Sequence, residues 1–163
     1  MIRSLAFAAI CLPMGAAAAC YGDAGTPLFH CTIEGGKTEI RVCLQDSAAY
    51  YAYGPPGRAP DIVFSRHVQD IHMTPWPGIS RTYWEELAFA NGAFEYRIHH
   101  SFDRNGELPQ DGTLTVARNG LQIAELSCAA GTISTADFSP LFDAKEESGQ
   151  CWNFDTRSWG RCP

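Results

Sequence analysis

Apolar and polar positions alternate with a period of two along most of this chain, and Gly, Pro and Asn interrupt the alternation every few residues. Such a pattern predicts short strands with one buried and one wet face. Residues 28–33 and 38–44 flank Glu34-Gly35-Gly36-Lys37, whose Gly-Gly pair suits a two-residue hairpin turn. In the second of these strands Ile40, Val42 and Leu44 share one face, and Glu39, Arg41 and Cys43 the other. Residues 48–53 predict a third strand, stopped by Gly54-Pro55-Pro56-Gly57, which cannot continue a ladder. Residues 62–65 and 68–73 predict two more, and 113–117 with 121–128 a last hairpin across Asn119-Gly120. Only 137–148 reads as helix, with Ser139-Pro140 at its start and Gly149 at its end. The expected fold is mainly β: a small antiparallel β-barrel or sandwich with one short C-terminal helix. An open α+β sheet with the helix on one face is the alternative.

The strongest alternation runs from Arg81 to Phe102. A type I′ turn at Asn91-Gly92 sets Phe89 opposite Phe94, Leu87 opposite Tyr96, Glu85 opposite Ile98 and Tyr83 opposite His100. This largely apolar side is the inward face. The outward face pairs Ala88 with Glu95, Glu86 with Arg97 and Trp84 with His99. Glu85 and His100 are then polar groups on an inward face, beside Tyr83. Burial of a carboxylate and an imidazole is costly unless they meet each other, a water or a ligand. The three are therefore a candidate site; the structural alternative places them at the rim of the barrel, hydrogen-bonded or wet.

The first residues have a different grammar. Met1-Ile2-Arg3, an apolar run from Leu5 to Leu12 and small residues up to Ala19 are laid out as a secretory signal peptide. The domain plan is a leader at 1–19 and a single disulfide-stabilised β domain at 20–163. No later run is apolar enough for a transmembrane helix. Of the 7 cysteines, Cys11 leaves with the leader. Cys20, Cys31, Cys43, Cys128, Cys151 and Cys162 remain, and an even set in an exported chain reads as a disulfide framework. Cys151 and Cys162 bracket an aromatic tail that their bond would restrain. Cys31 lies opposite Ile40 while Cys43 faces the other side, so these two are poor partners. Bonding Cys31 to Cys128 would tie the first strand to the last and leave Cys20 for Cys43, one connectivity among several. A lipid anchor at Cys20 competes for that thiol, but Ala17 stands where a lipoprotein signal usually carries Leu, and acylation would orphan another thiol.

The net charge is −6, and it becomes more acidic once Arg3 is removed. That balance argues against nucleic acid and anionic membrane as partners. Thr74-Pro75-Trp76-Pro77-Gly78 holds Trp76 on a stiff loop just before Arg81, which makes Trp76 and Arg81 candidate surface contacts. The plainer reading is that Trp76 covers the end of the core. None of the histidines shows H-E-x-x-H spacing, so neither metal nor cofactor is expected. Residues 103–107 start like a calcium loop, but Leu108 occupies the position that needs Gly, and a turn is expected instead. There is no G-x-S-x-G elbow. Glu85 and Glu86 are adjacent on a strand, point to opposite faces and cannot flank one glycosidic bond. These points argue against an enzyme. Residues 151–162 read as a stapled tail or, functionally, a displayed recognition loop.

The Leu28-Phe29-His30-Cys31 strand, the Tyr-rich strands after it and the late Leu126-Ser127-Cys128 strand resemble the layout of periplasmic C-type lysozyme inhibitors. The resemblance implies a small exported antiparallel barrel that binds a hydrolase cleft through a loop. It does not extend to that family's S-G-x-x-Y segment, since Ser148-Gly149-Gln150-Cys151 has Cys in place of Tyr, and no inhibitory residue transfers. The expected function is a non-catalytic binding module of the periplasm or cell envelope, or a secreted one. Its partner would be a protein or an envelope component, touched through Trp76, Arg81, Tyr83, Glu85 and His100. A basic hydrolase such as lysozyme would suit the acidic charge. The alternatives are a small-ligand barrel or enzyme using Glu85 and His100, and a structural envelope protein.

Overall fold

The computed structural model describes residues 20 and 25–163; the expected leader at 1–19 lies outside the described residues. Two antiparallel five-stranded sheets form the body. The first contains β1 (Thr26–Thr32), β2 (Glu39–Gln45), β3 (Ala48–Gly54) and β4 (Ile62–His67) in meander order. The second contains β5 (His72–Thr74), β6 (Thr82–Asn91), β7 (Phe94–Asp103), β8 (Asp111–Arg118) and β9 (Leu121–Ser127), also as a meander. A two-residue strand, β10 (Thr135–Ala136), adds to the outer edge of β1. After it come the helix α1 (Ser139–Glu147) and a separate hairpin of β11 (Gln150–Asn153) and β12 (Ser158–Arg161). The mainly β fold with one short helix is thus the observed one.

The two sheets meet along β1 and β9. Ile33 bridges Cys128, the Glu34 N–H donates to the Ser127 carbonyl over 2.9 Å, and the Ala129 N–H donates to the Thr32 carbonyl over 2.8 Å. The disulfide Cys31–Cys128 lies at this junction and closes a sequence separation of 97 residues. Gly112 makes the closure possible, because a Cβ there would stand 2.8 Å from the Cys128 sulfur and 3.1 Å from the Phe29 ring. At the opposite seam β4 faces the tip of the β6–β7 hairpin. Arg66 donates to the Ala90 carbonyl over 2.6 Å and to the Asn91 side chain over 2.7 Å. Between the sheets, Tyr51 packs 5.0 Å from Phe64, 5.9 Å from Phe89 and 5.1 Å from Tyr96, giving the core an aromatic centre. Phe138 and Leu141, both fully buried, bring α1 over one end of that core.

Several sequence expectations are corrected. The β6–β7 loop is Gly92-Ala93, with Asn91 paired to Phe94, so Glu85 lies opposite His100, Phe89 opposite Tyr96, Leu87 opposite Ile98 and Tyr83 opposite Phe102. A left-handed φ of 63° at Gly92, the first loop position, is the arrangement a II′ turn needs. The shift is by two residues, so each side chain keeps its face. The outward pairs become Ala88 with Arg97, Glu86 with His99 and Trp84 with Ser101. Residues 68–73 are not one strand: Val68–Asp70 is a 3-10 turn that leads into β5. The helix is shorter than 137–148: it starts at Ser139 after Phe138, which gives no side-chain cap, and the Asp137 carboxylate accepts the Ser139 N–H over 3.0 Å in the turn that precedes it.

Three disulfides are present: Cys20–Cys43, Cys31–Cys128 and Cys151–Cys162. They indicate an oxidising environment. The Cys20 sulfur that a thioether lipid would need is engaged with Cys43. No helix among the described residues is long and apolar enough to cross a membrane.

Loop-closure entropy ranks the bridges. Replacing Cys31 and Cys128 by Ala should lower unfolding free energy by about 4–5 kcal/mol, and replacing Cys151 and Cys162, separated by 11 residues, by about 3 kcal/mol. Chemical denaturation of the two variants checks the order; an equal or larger loss at the C-terminal bridge would contradict it.

Candidate functional site

Strand alternation brings Tyr83 and Glu85 of β6 onto the inward face with His100 and Phe102 of β7. Glu85 is 5% exposed and His100 1% exposed. The Glu85 Oε2 and His100 Nε2 atoms are 3.5 Å apart, close enough for attraction, and the buried Nε2 has no hydrogen-bond partner among the described residues. The imidazole stands edge-on to Phe138 at 4.9 Å. Tyr83 covers the pair from the solvent side, stacking on Phe102 at 4.8 Å and touching Trp76 at 5.2 Å. Burial, with the Glu85 carboxylate beside it, pushes the Tyr83 phenol well above its ordinary range. The guanidinium of Arg104 sits over the Trp76 ring at 4.7 Å.

Four of the five expected site residues therefore make one cluster at the rim, sealed by aromatic rings. Arg81 stands next to it but is turned to Asp103 and Glu107. It donates to both Asp103 oxygens over 2.9 Å and 2.8 Å, and it also pairs with Glu107. Asp103 further accepts the Asn105 N–H over 3.1 Å. Arg81 and these donors hold the Asp103 carboxyl well below the usual carboxylate range. The loop that begins like a calcium site is thus a turn built on Asp103 and clamped by Arg81.

A second feature was not expected from the sequence. On the outward face of β6, Trp84 stacks on His99 at 5.8 Å. Pro75, Pro77, Trp84, Trp152, Phe154 and Arg157 enclose a cleft of about 110 Å³ between this face and the β11–β12 hairpin. Pro75 and Pro77 line it while Trp76, between them, turns to the rim, so the stiff loop serves both places. Neither Glu85 nor His100 lines this cleft.

The hairpin wall is ordered by its own chemistry. The Asn153 side chain accepts the N–H groups of Asp155 and Thr156, each over 2.9 Å, which forms the turn, and Cys151–Cys162 closes the far end. Trp152 packs on Trp159 at 5.5 Å, and Trp159 on Phe142 of α1 at 5.1 Å. The Trp159 indole N–H donates to the Met73 carbonyl over 2.7 Å. Beneath it Lys145, 1% exposed, donates to the carbonyls of Val68 and Ile71 over 2.8 Å and 2.7 Å and lies 4.8 Å from the Trp159 ring centre. Asn153-x-Asp between two aromatic strands bracketed by cysteines is the signal that could have revealed this hairpin.

No family model, curated protein or solved structure matches the chain.

Burial lowers the Lys145 ammonium to about 8, and the nearby Asp70 charge opposes the shift. A lowered lysine pKa means that the unfolded chain binds more protons between about pH 8 and the ordinary 10.5. This group therefore adds stability as pH rises through that window. Tyr51, whose phenol is raised by burial above its ordinary 10.0, acts in the opposite direction at higher pH. Unfolding free energy measured from pH 7 to 10 should show the rise in wild type and lose it in Lys145→Met; identical pH slopes would contradict the assignment.

Proposed function

We propose that this chain is an exported, non-catalytic binding module of the periplasm or cell envelope, and that it engages its partner at the cleft between Trp84 and Trp152. The observation that carries this reading is the convergence of two tryptophans, a phenylalanine and two prolines on one open cleft, with Arg157 as its charged member. Large, rigid aromatic surfaces lose little conformational entropy on binding, and they dominate recognition energies. Both walls are stiff: one is a sheet face, and the other is a hairpin closed by Cys151–Cys162. Export is supported by the three disulfides. The non-catalytic reading is supported by the placement of Glu85 and His100, the best acid–base pair of the chain, beneath Tyr83 and Phe138.

A second reading, inhibition of a basic hydrolase such as lysozyme, is favoured by the excess of 18 acidic over 12 basic residues. It requires stoichiometric loss of lysozyme activity on addition of the protein.

Sedimentation with washed, insoluble cell-envelope material tests the first reading. Wild type is expected in the pellet, Trp152→Ala should weaken the association about tenfold, and Trp76→Ala, at the rim, should leave it unchanged. Equal recovery of wild type and Trp152→Ala would overturn the cleft as the contact, and loss in Trp76→Ala alone would move the contact to the rim.

A further inference from the structure

The aromatic cleft does not end at Arg157. That residue also lines a second cleft of about 370 Å³ with Asp70, His72, Lys145 and Trp159. Gln69 and Gln150 line the second cleft and also a third, which reaches Ser148 and Arg161. Shared lining residues make the three one groove along the junction between the β5 edge and the C-terminal elements. Its character changes along its length, from ring faces at one end through charged groups to amides and hydroxyls at the other.

Edge strands commonly recruit peptides as an additional strand. This edge is closed to that use. The carbonyls of Val68 and Ile71 accept from Lys145, that of Gln69 from Gln150 and that of Met73 from Trp159. What the groove offers a ligand is ring faces and guanidinium groups, because its amides, hydroxyls and imidazole already have partners within the protein. Gln69 donates to the Ser148 carbonyl, Gln150 to that of Gln69 and Ser148 to that of Lys145, while Ser158 pairs with Thr156 and His72 with Thr74. Ring faces of this kind match the C–H side of a pyranose ring. The charge along the groove is positive on balance, with Arg157, Arg161 and Lys145 against Asp70. Among the described residues neither Arg157 nor Arg161 forms an ion pair. Two unpaired guanidinium groups on a protein of net charge −6 select an anion locally where the whole molecule would repel one.

We propose that this groove binds an extended, carboxylate-bearing glycan. Sugar rings stack on Trp84, Trp152 and Phe154, and carboxylates further along the chain meet Arg157 and Arg161. The proposal rests on the binding-module reading and names the ligand class for the same surface.

Titration calorimetry of the disulfide-intact protein tests it with four probes: hexagalacturonate, digalacturonate, the methyl ester of the hexamer, and a six-residue glutamate–proline peptide. The acid hexamer is expected to bind at least about tenfold more tightly than each of the other three. Arg157→Gln should reduce affinity for the acid and leave the ester unchanged. Trp152→Ala should weaken both; Phe154→Ala should do the same, and this ring is 60% exposed, so its removal leaves the fold intact. Equal binding of acid and ester would overturn the charge assignment, and equal binding of the peptide would overturn the glycan. Absence of hexagalacturonate binding, or binding untouched by Phe154→Ala, would overturn the proposal. Should sedimentation with envelope material still depend on Trp152 in that case, the glycan fails while the binding-module reading stands.

Discussion

The backbone between Val68 and Met73 runs where the second sheet ends, and its outward carbonyls need donors that no neighbouring strand provides. A buried carbonyl left without a partner costs about 1–3 kcal/mol, and the carbonyls of Val68 and Ile71, which meet Lys145 in buried surroundings, carry that cost most fully. The C-terminal elements provide the donors through Lys145, Gln150 and Trp159. That requirement fixes where α1 and the β11–β12 hairpin lie. It also blunts the edge against pairing with another chain, a hazard that exposed strands otherwise carry. The groove follows from this docking, because its two sides are the edge and the elements that cap it.

Two buried ionisable clusters illustrate different solutions to one problem. Lys145 keeps its charge by donating to carbonyls and facing an indole ring, and it serves as a structural bolt that also lines the groove. Glu85 and His100 instead rely on each other, across a single antiparallel pair, under a lid of Tyr83, Phe102 and Trp76. A buried pair of this kind is weak evidence of net stabilisation, and removing one member leaves the other uncompensated. Its position at the closed rim, away from the cleft under Trp84, separates it from the surface proposed for binding.

Much of the body was legible because strand alternation is a local property. The inward set of Leu87, Phe89, Tyr96 and Ile98 is set by period two alone, and it survived a register error of two residues. The error arose at the turn, where Gly92 accepts the left-handed conformation at the first loop position and Asn91 stays in the ladder. Opposition of Cys31 to Ile40 was readable from the Gly-Gly turn, and with it the exclusion of a Cys31–Cys43 bond. Residues 68–73 misled because Val68, Ile71 and Met73 are all buried, yet the turn is held by Lys145, far along the chain. The groove was invisible for the same reason. Trp84 and Trp152 lie on separate hairpins and line one cleft because Lys145, Gln150 and Trp159 dock the C-terminal elements on the β5 edge.

The indole proton of Trp159 reports on that anchor directly. Nuclear magnetic resonance of the folded protein should find it protected from solvent exchange, with through-space contacts to Met73. Rapid exchange of this proton in the native state, with no contact to β5, would contradict the docking on which the groove depends.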